Sequence, residues 1–412
     1  MVARNITLTE YQTQCLPEDE LDIEAGINLW RSFDQKGKKI QVTFPSPKTG
    51  QQWQLTAQGW VGHFPLTPQL TLQIQPKVNL SNIFCMWEVA YRLRSYQFLD
   101  GLTSVASLEA FYERVVVMLL QRVQKRERQG FHRTYRSVTR PLPAVRGRIQ
   151  TQPHIPTQSH ITCCYDEQTA DIPDNQILAY TLSLVARGRR CSAAVQTAVR
   201  HTVHRLHTIT APQVFQAADC VSQPYTRLNQ DYQAMHNLCR FLLEHHTPQL
   251  AAGSQPMHPF LINMSRLFEL FVAEWLKANL PPPWSVKVQE RVTIGRHDEL
   301  KFDIDLVLYD GDGRVHAVLD TKYKSPNKVA NSDVNQMIAY AQAKDSRQAI
   351  LIYPTALAQP LDVQLHNLHL RSLTFALDSD LTTAGQQLLA DLVPSKVPGT
   401  SKVPGTSKVP GT

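Results

Sequence analysis

Between Lys301 and Lys324 two apolar runs, Leu306-Val307-Leu308 and Ala317-Val318-Leu319, stand either side of the tetrapeptide Asp310-Gly311-Asp312-Gly313. Paired Asp-Gly steps supply the positive φ angles that reverse a chain between two strands. This stretch therefore predicts a β-hairpin and excludes an all-helical fold for its region. Asp305 opens the first run and Asp320 closes the second, with Lys322 two residues further on. Extended side chains alternate faces, so Asp320 and Lys322 point the same way. Asp303 shares the face of Asp305, and either can be the acid of the first strand.

Two carboxylates on neighbouring strands suit Mg²⁺, which takes hard oxygen ligands, and the carbonyl of Thr321 can add a third. Such an ion would polarise a phosphate and lower the pKa of a nucleophilic water. Lys322 can orient that water or meet the developing negative charge. Glu269, in the apolar helical stretch SRLFELFVAEWL, is a further candidate acid and metal ligand. Gln336 and Tyr340, four residues apart, share one helical face and can brace the site or touch phosphate. Ser332 or Asp333 is expected to cap that helix.

The rest of the chain frames this hairpin. Residues 1–79 read as a β-rich domain, with strands at Lys39 to Phe44, Gln52 to Ala57 and the alternating run around Leu70, Leu72 and Ile74. Residues 80–255 read as helical, with helices expected over Asn175 to Ala186, Ala193 to Ile209 and Leu228 to His245, Asp174 capping the first. Phe131 to Ala170 and Ala211 to Tyr225 show no period and are expected to be irregular. Residues 256–394 alternate helix and strand as an α/β domain with a mixed sheet. Residues 395–412 repeat SKVPGT three times and are expected to be disordered. The fold class is thus α+β and multi-domain.

The 412 residues carry a formal net charge of +7, which suits a polyanionic partner. Arg122, Lys125, Arg126, Arg128, Arg133, Arg136, Arg140, Arg146 and Arg148 crowd one segment beside a single acid, Glu127. They are candidates for contact with DNA phosphate or an acidic protein pore, against a solvated helix end and loop. Seven scattered cysteines without a C-x-x-C pair speak against a disulfide framework or a zinc site. No apolar run spans a bilayer and the N-terminus lacks a signal-peptide core, so no membrane partner and a cytoplasmic location are expected.

The acid–acid–lysine set with its helix and Q-x-x-x-Y resembles the core of PD-(D/E)xK nucleases. More closely, the chain resembles the McrC family, the nuclease subunits of McrBC restriction systems. The likeness rests on LFELFV around Glu269, DIDLVL around Asp305, VLDTKYK around Asp320 and SDVNQMIAYA around Gln336, and on GWVGHF, LTLQIQPKV, VRGRI and DIPDNQIL upstream. Ile304 stands where members often carry proline. The resemblance implies a Mg²⁺-dependent endonuclease subunit directed at 5-methylcytosine DNA in phage defence. It also implies double-stranded DNA and a McrB-like AAA+ GTPase hexamer as partners, the N-terminal half docking in the motor's pore. No G-x-x-x-x-G-K-[ST] occurs here, in keeping with a separate motor. A stand-alone repair nuclease would cut DNA unaided. A non-catalytic activator would lack the metal site.

Overall fold

The computed structural model describes residues 4–35, 39–67, 70–93, 108–150, 160–188, 190–245, 260–294, 300–324 and 328–393. The SKVPGT tail, expected to be disordered, lies outside the described residues. Two compact units divide the chain, Met1–Glu274 and Trp275–Thr412.

In the first unit, strands β1 (Arg4–Thr9) and β2 (Thr13–Pro17) lead into helix α1 (Ile23–Leu29), which continues as a π-helical turn, Trp30–Gln35. Strands β3 (Ile40–Thr43), β4 (Gln52–Ala57), β5 (Trp60–Thr67) and β6 (Leu70–Gln75) follow. They form a three-stranded sheet, β2-β4-β3, and a four-stranded one, β1-β6-β5, completed by β10 (Phe260–Asn263). Alternation of apolar and polar residues in β4 and β6 puts Trp53, Leu55, Leu70, Leu72 and Ile74 into one core with Leu8, Leu29 and Phe33. β10 pairs antiparallel with β5, Ile262 opposite Val61. The N-terminal sheet thus takes a strand from the region that the sequence assigns to the C-terminal domain.

Helices α2 (Leu80–Ala90), α3 (Leu108–Gln129), α4 (Pro173–Gly188), α5 (Ala193–His207) and α6 (Tyr232–Glu244) supply the expected helical region. One expected irregular stretch is instead a sheet: β7 (Thr134–Leu142) pairs along nine residues with β9 (Ile161–Thr169), and β8 (Arg148–Ile149) covers the other edge. β7 is exposed on both faces, so no apolar alternation marks it. Gly147 has φ +71°, and a Cβ there would lie 2.4 Å from the carbonyl oxygen of Cys164, which is why VRGRI carries glycine.

Asp174 does not cap α4. It sits inside the first turn, buried, and accepts from His132 Nδ1 at 2.8 Å and Asn229 Nδ2 at 2.9 Å. His236 Nε2 donates to the Asp174 carbonyl and its Nδ1 accepts from Tyr225 Oη at 2.8 Å. Burial lowers the pKa of His236 below its ordinary value; burial also lowers that of His245, packed on Phe241, to about 3. The unfolded chain takes up protons near 6.5 that these folded imidazoles refuse, so stability is full above that value and is lost as pH falls below it, for His245 down to about 3. Urea midpoints for unfolding of the first unit are expected to drop markedly between about pH 7 and about pH 5. A flat profile, or no flattening in His245→Phe, would contradict this.

Helix α7 (Met264–Asn279) runs from the first unit into the second. The second unit then holds β11 (Ser285–Ile294), β12 (Leu300–Tyr309), β13 (Val315–Thr321), α8 (Asn331–Ala343), β14 (Gln348–Tyr353), β15 (Asp362–Leu365), β16 (Leu368–Thr374) and α9 (Leu381–Leu392). Its sheet runs β11-β12-β13-β14-β16-β15 and is mixed: β13, β14 and β16 are parallel, the remaining pairs antiparallel. The Asp310 turn closes the β12–β13 hairpin as expected, with Asp310 Oδ1 accepting from the amides of Asp312 and Arg314 and Gly313 at φ +75°. α8 connects the parallel pair β13–β14 and buries Met337, Tyr340 and Ala341 against Ile304, Val307, Val318 and Leu351. Gly385 of α9 lets the helix approach Trp275, whose ring also meets Phe375 edge-on at 5.3 Å.

Candidate active site

β12 and β13 are apolar because both faces are covered, and their register pairs Leu306 with Leu319. That register brings Asp305, one residue before Leu306, beside Asp320, one residue after Leu319. The Asp305 carboxyl comes near enough to hydrogen-bond Asp320. Asp320 is 2 % exposed, and Lys322 Nζ lies 2.7 Å from its Oδ2. Burial pushes the Asp320 carboxyl above its ordinary pKa, against the pull of Lys322 and of the bond from Asp305. Burial also opposes charge on Lys322, but the neighbouring Asp320, Asp333 and Asp305 outweigh it and hold the ammonium above its usual value.

Asp303, the alternative first-strand acid, is turned outward. It is 62 % exposed in its side chain and takes a two-pronged contact from Arg291, Nε to Oδ1 at 2.7 Å and Nη2 to Oδ2 at 3.2 Å. Geometry therefore separates two residues that the sequence leaves equivalent, and it places Asp305 with Asp320.

Lys322 Nζ also donates to Gln336 Oε1 at 3.0 Å. Gln336 Nε2 donates to Tyr340 Oη at 2.7 Å, and Tyr340 donates to the carbonyl of Asp303 at 3.1 Å. The Q-x-x-x-Y pair of α8 is thus a chain of hydrogen bonds from the lysine back to the acid-bearing strand. The amide of Lys322 donates to Ile352 O at 2.9 Å, which extends the ladder to β14 beyond Thr321.

Two residues of this region escape the sequence reading. Asp333, expected as a cap, is buried and pairs with Lys324 Nζ at 2.5 Å; the N-cap position falls to Ala330, without a side-chain bond. The D-x-K-x-K spacing held that signal, since Lys324 lies one more alternation along. Gln289, the β11 residue at the register of Asp305, has φ +50° and leaves a gap in the strand ladder. A non-glycine residue in that conformation costs on the order of 1–3 kcal/mol and commonly marks a working site. No pattern in the sequence predicts it.

The donor set fits a small hard cation. Asp320 Oδ2 is buried with no aligned hydrogen bond, and a second carboxyl stands beside it. Among the described residues no three His, Cys, Asp or Glu side chains form a closed cage. Mg²⁺ is commonly held by one or two carboxylates and keeps several waters, so a pair of acids with a backbone carbonyl suffices. Glu269 lies in the first unit, where Arg266 Nη1 donates to its Oε1 at 2.6 Å.

The basic segment is not uniform. Arg126 reaches Asp231 and the Leu228 carbonyl and lies over the Tyr232 ring, and Arg122 is half-buried in α3. Lys125 and Arg128 are exposed on the same helix. Arg133, Arg136, Arg140, Arg146 and Arg148 are exposed on or beside the β7–β9 sheet, where Arg140 faces Glu167 at 3.6 Å and Arg146 covers Tyr165. No helix among the described residues is long and apolar enough to cross a membrane.

No curated protein matches the sequence. Among solved structures, the chain resembles one in the refined half-complex from the tetradecameric assembly of Thermococcus gammatolerans McrB AAA+ hexamers with bound McrC. The TM-score is 0.55 at 18 % identity, over 95 % of this chain and 100 % of that one. A chain of the cryo-EM Thermococcus gammatolerans McrBC complex matches with a TM-score of 0.45 and 19 % identity, over 68 % and 88 %. The first likeness supports a shared fold. The family model for the McrBC 5-methylcytosine restriction system component matches residues 55–354, well over half of the sequence, and the chain belongs to that family.

Proposed function

We propose that this chain is the Mg²⁺-dependent DNA endonuclease subunit of a complex that restricts 5-methylcytosine DNA, and that it stimulates a separate AAA+ GTPase. The observation that carries the reading is the meeting of Asp305, Asp320 and Lys322 at one end of the β12–β13 pair. Asp305, Asp320 and the Thr321 carbonyl are the residues that would hold Mg²⁺. When bound, the ion supplies charge neutralisation at the scissile phosphate and a more acidic water.

The chain's own residues do the remainder. Asp305 and Asp320 would hold the cation at a fixed place on the sheet, and so set where a phosphate it binds would lie. Lys322 keeps its proton, because three acids surround it, and its N–H groups orient the attacking water or meet the negative charge on a phosphate oxygen. Gln336 and Tyr340 hold the ammonium in that direction. Gln336→Ala is expected to lower cleavage ~10–100-fold, the usual effect of removing an orienting partner. Unchanged cleavage by that variant would show that the hydrogen-bond chain has no part in the reaction.

The partner follows from the related assembly, in which AAA+ hexamers carry bound McrC. The exposed arginines of the β7–β9 sheet are the residues proposed to meet that motor or DNA phosphate, since the edge strand β7 has no buried face and is free to contact another molecule. The decisive experiment combines the chain with an McrB-type partner, GTP and methylated duplex. Cleavage is expected only with Mg²⁺ and the partner present, and loss on adding EDTA. Efficient cutting by the chain alone, or cutting in EDTA, would overturn the reading.

A further inference from the structure

A cleft of about 330 Å³ opens at the other end of the nuclease-type sheet, lined by His316, Gln348, His369, Arg371, Asp391 and Leu392. Its size is at the small end of the ~300–1,000 Å³ typical of ligand sites. His316 precedes Asp320 on β13 by four residues, about 13 Å along an extended strand. The cleft is therefore separate from the candidate active site.

Its hydrogen bonds have a fixed polarity. His316 donates to the Leu392 carbonyl at the end of α9, and its ring meets Trp284 edge-on at 4.8 Å. With that donor used, His316 Nε2 accepts from Gln348 Nε2 at 3.3 Å. Gln348 Oε1 in turn accepts from Arg371 Nη2 at 3.3 Å. The amide thus orients a guanidinium without neutralising it. Arg371 makes no ion pair with any described carboxylate, and its Nε is enclosed with no hydrogen-bond partner. Each uncompensated buried donor of this kind calls for an acceptor. His369 stands at the rim with Nε2 2.7 Å from Asp362 Oδ1, a bond that turns the ring. Asp391 is exposed and accepts from Gln387 at 3.3 Å, so the acid is held by its own helix.

We propose that this cleft binds a phosphate-ester anion, with Arg371 as the charged fork and Gln348 and His316 as the groups that aim it. A guanidinium in a polar cleft matches phosphate oxygens in charge and in planar geometry. The source is a nucleic-acid backbone or a free nucleotide, and the two are separable by experiment.

Imidazole NMR signals of His316 and His369, assigned with His316→Gln and His369→Gln, are followed in the full chain in EDTA as inorganic phosphate is added. Saturable shifts are expected in the wild type and in Asp320→Asn, and none in Arg371→Gln. No shift in the wild type overturns the proposal without touching the nuclease reading. A labelled duplex then identifies the source. If it binds Arg371→Gln roughly tenfold more weakly, with a salt slope shallower by about 1, the site takes backbone phosphate. If duplex binding is unchanged but shifts induced by GMP disappear in Arg371→Gln, the site takes a nucleotide. Equal binding of both probes to Arg371→Gln and wild type overturns the assignment.

Discussion

Asp320→Asn is expected to reduce DNA cleavage by the assembled complex about a thousandfold or more, equivalent to about 4 kcal/mol of transition-state stabilisation. The amide keeps the shape of the carboxylate and loses the charge that holds a divalent ion. The same change is expected to leave the melting temperature unchanged or higher. Burial holds the Asp320 carboxyl above its ordinary pKa, so its ionised form works against the folded state at neutral pH. Asp305 remains to face Lys322. Loss of activity without loss of stability is the signature of a residue kept for chemistry. Stimulation of the partner GTPase is expected to persist. Full cleavage by Asp320→Asn would remove the central residue of the proposed function, and a large drop in melting temperature would make it a folding residue.

Trp53→Ala is expected to cost about 3–5 kcal/mol, a large share of the ~5–15 kcal/mol that stabilises a domain. Trp53 is fully buried, with its ring 4.9 Å from that of Phe44 and its six-membered edge over Gly26 of α1. A Cβ at Gly26 would lie 2.2 Å from the indole, so the two positions form one fitted contact. Gly26→Ala alone is expected to cost ~1–3 kcal/mol by overpacking. In the double variant the alanine methyl occupies space vacated by the indole, and the two losses are expected to be less than additive. Thermal melts of the three variants test this. Additive losses would show that Gly26 is not kept for the tryptophan.

Much of this molecule is legible before any coordinates. The β12–β13 hairpin follows from apolar runs either side of Asp-Gly-Asp-Gly, and Asp305, Asp320 and Lys322 follow from the period of an extended chain. The α4 and α5 helices appear close to their expected limits, α4 buried on most of its sides and α5 along one stripe that includes Val199 and Leu206. β7 was invisible for the converse reason: a strand without a buried face leaves no alternation to read. The pairing of β10 with β5 joins residues some two hundred positions apart, and no local pattern carries such a contact. Asp174 and Asp333 have the composition of caps, and their burial with His132 and with Lys324 arises only when distant elements close around them.

The order of the residues by itself determined where the chain turns, which faces are apolar and which acids can meet. Those are consequences of short-range sterics and of a two-residue or 3.6-residue period. Tertiary structure alone decided that Asp305 and not Asp303 stands with Asp320, that Gln336 ties Lys322 to Tyr340, and that Arg371 makes no ion pair with any described carboxylate. Each of those outcomes depends on register across strands and on what a neighbouring element leaves uncovered, and both are set by packing between segments far apart in the chain.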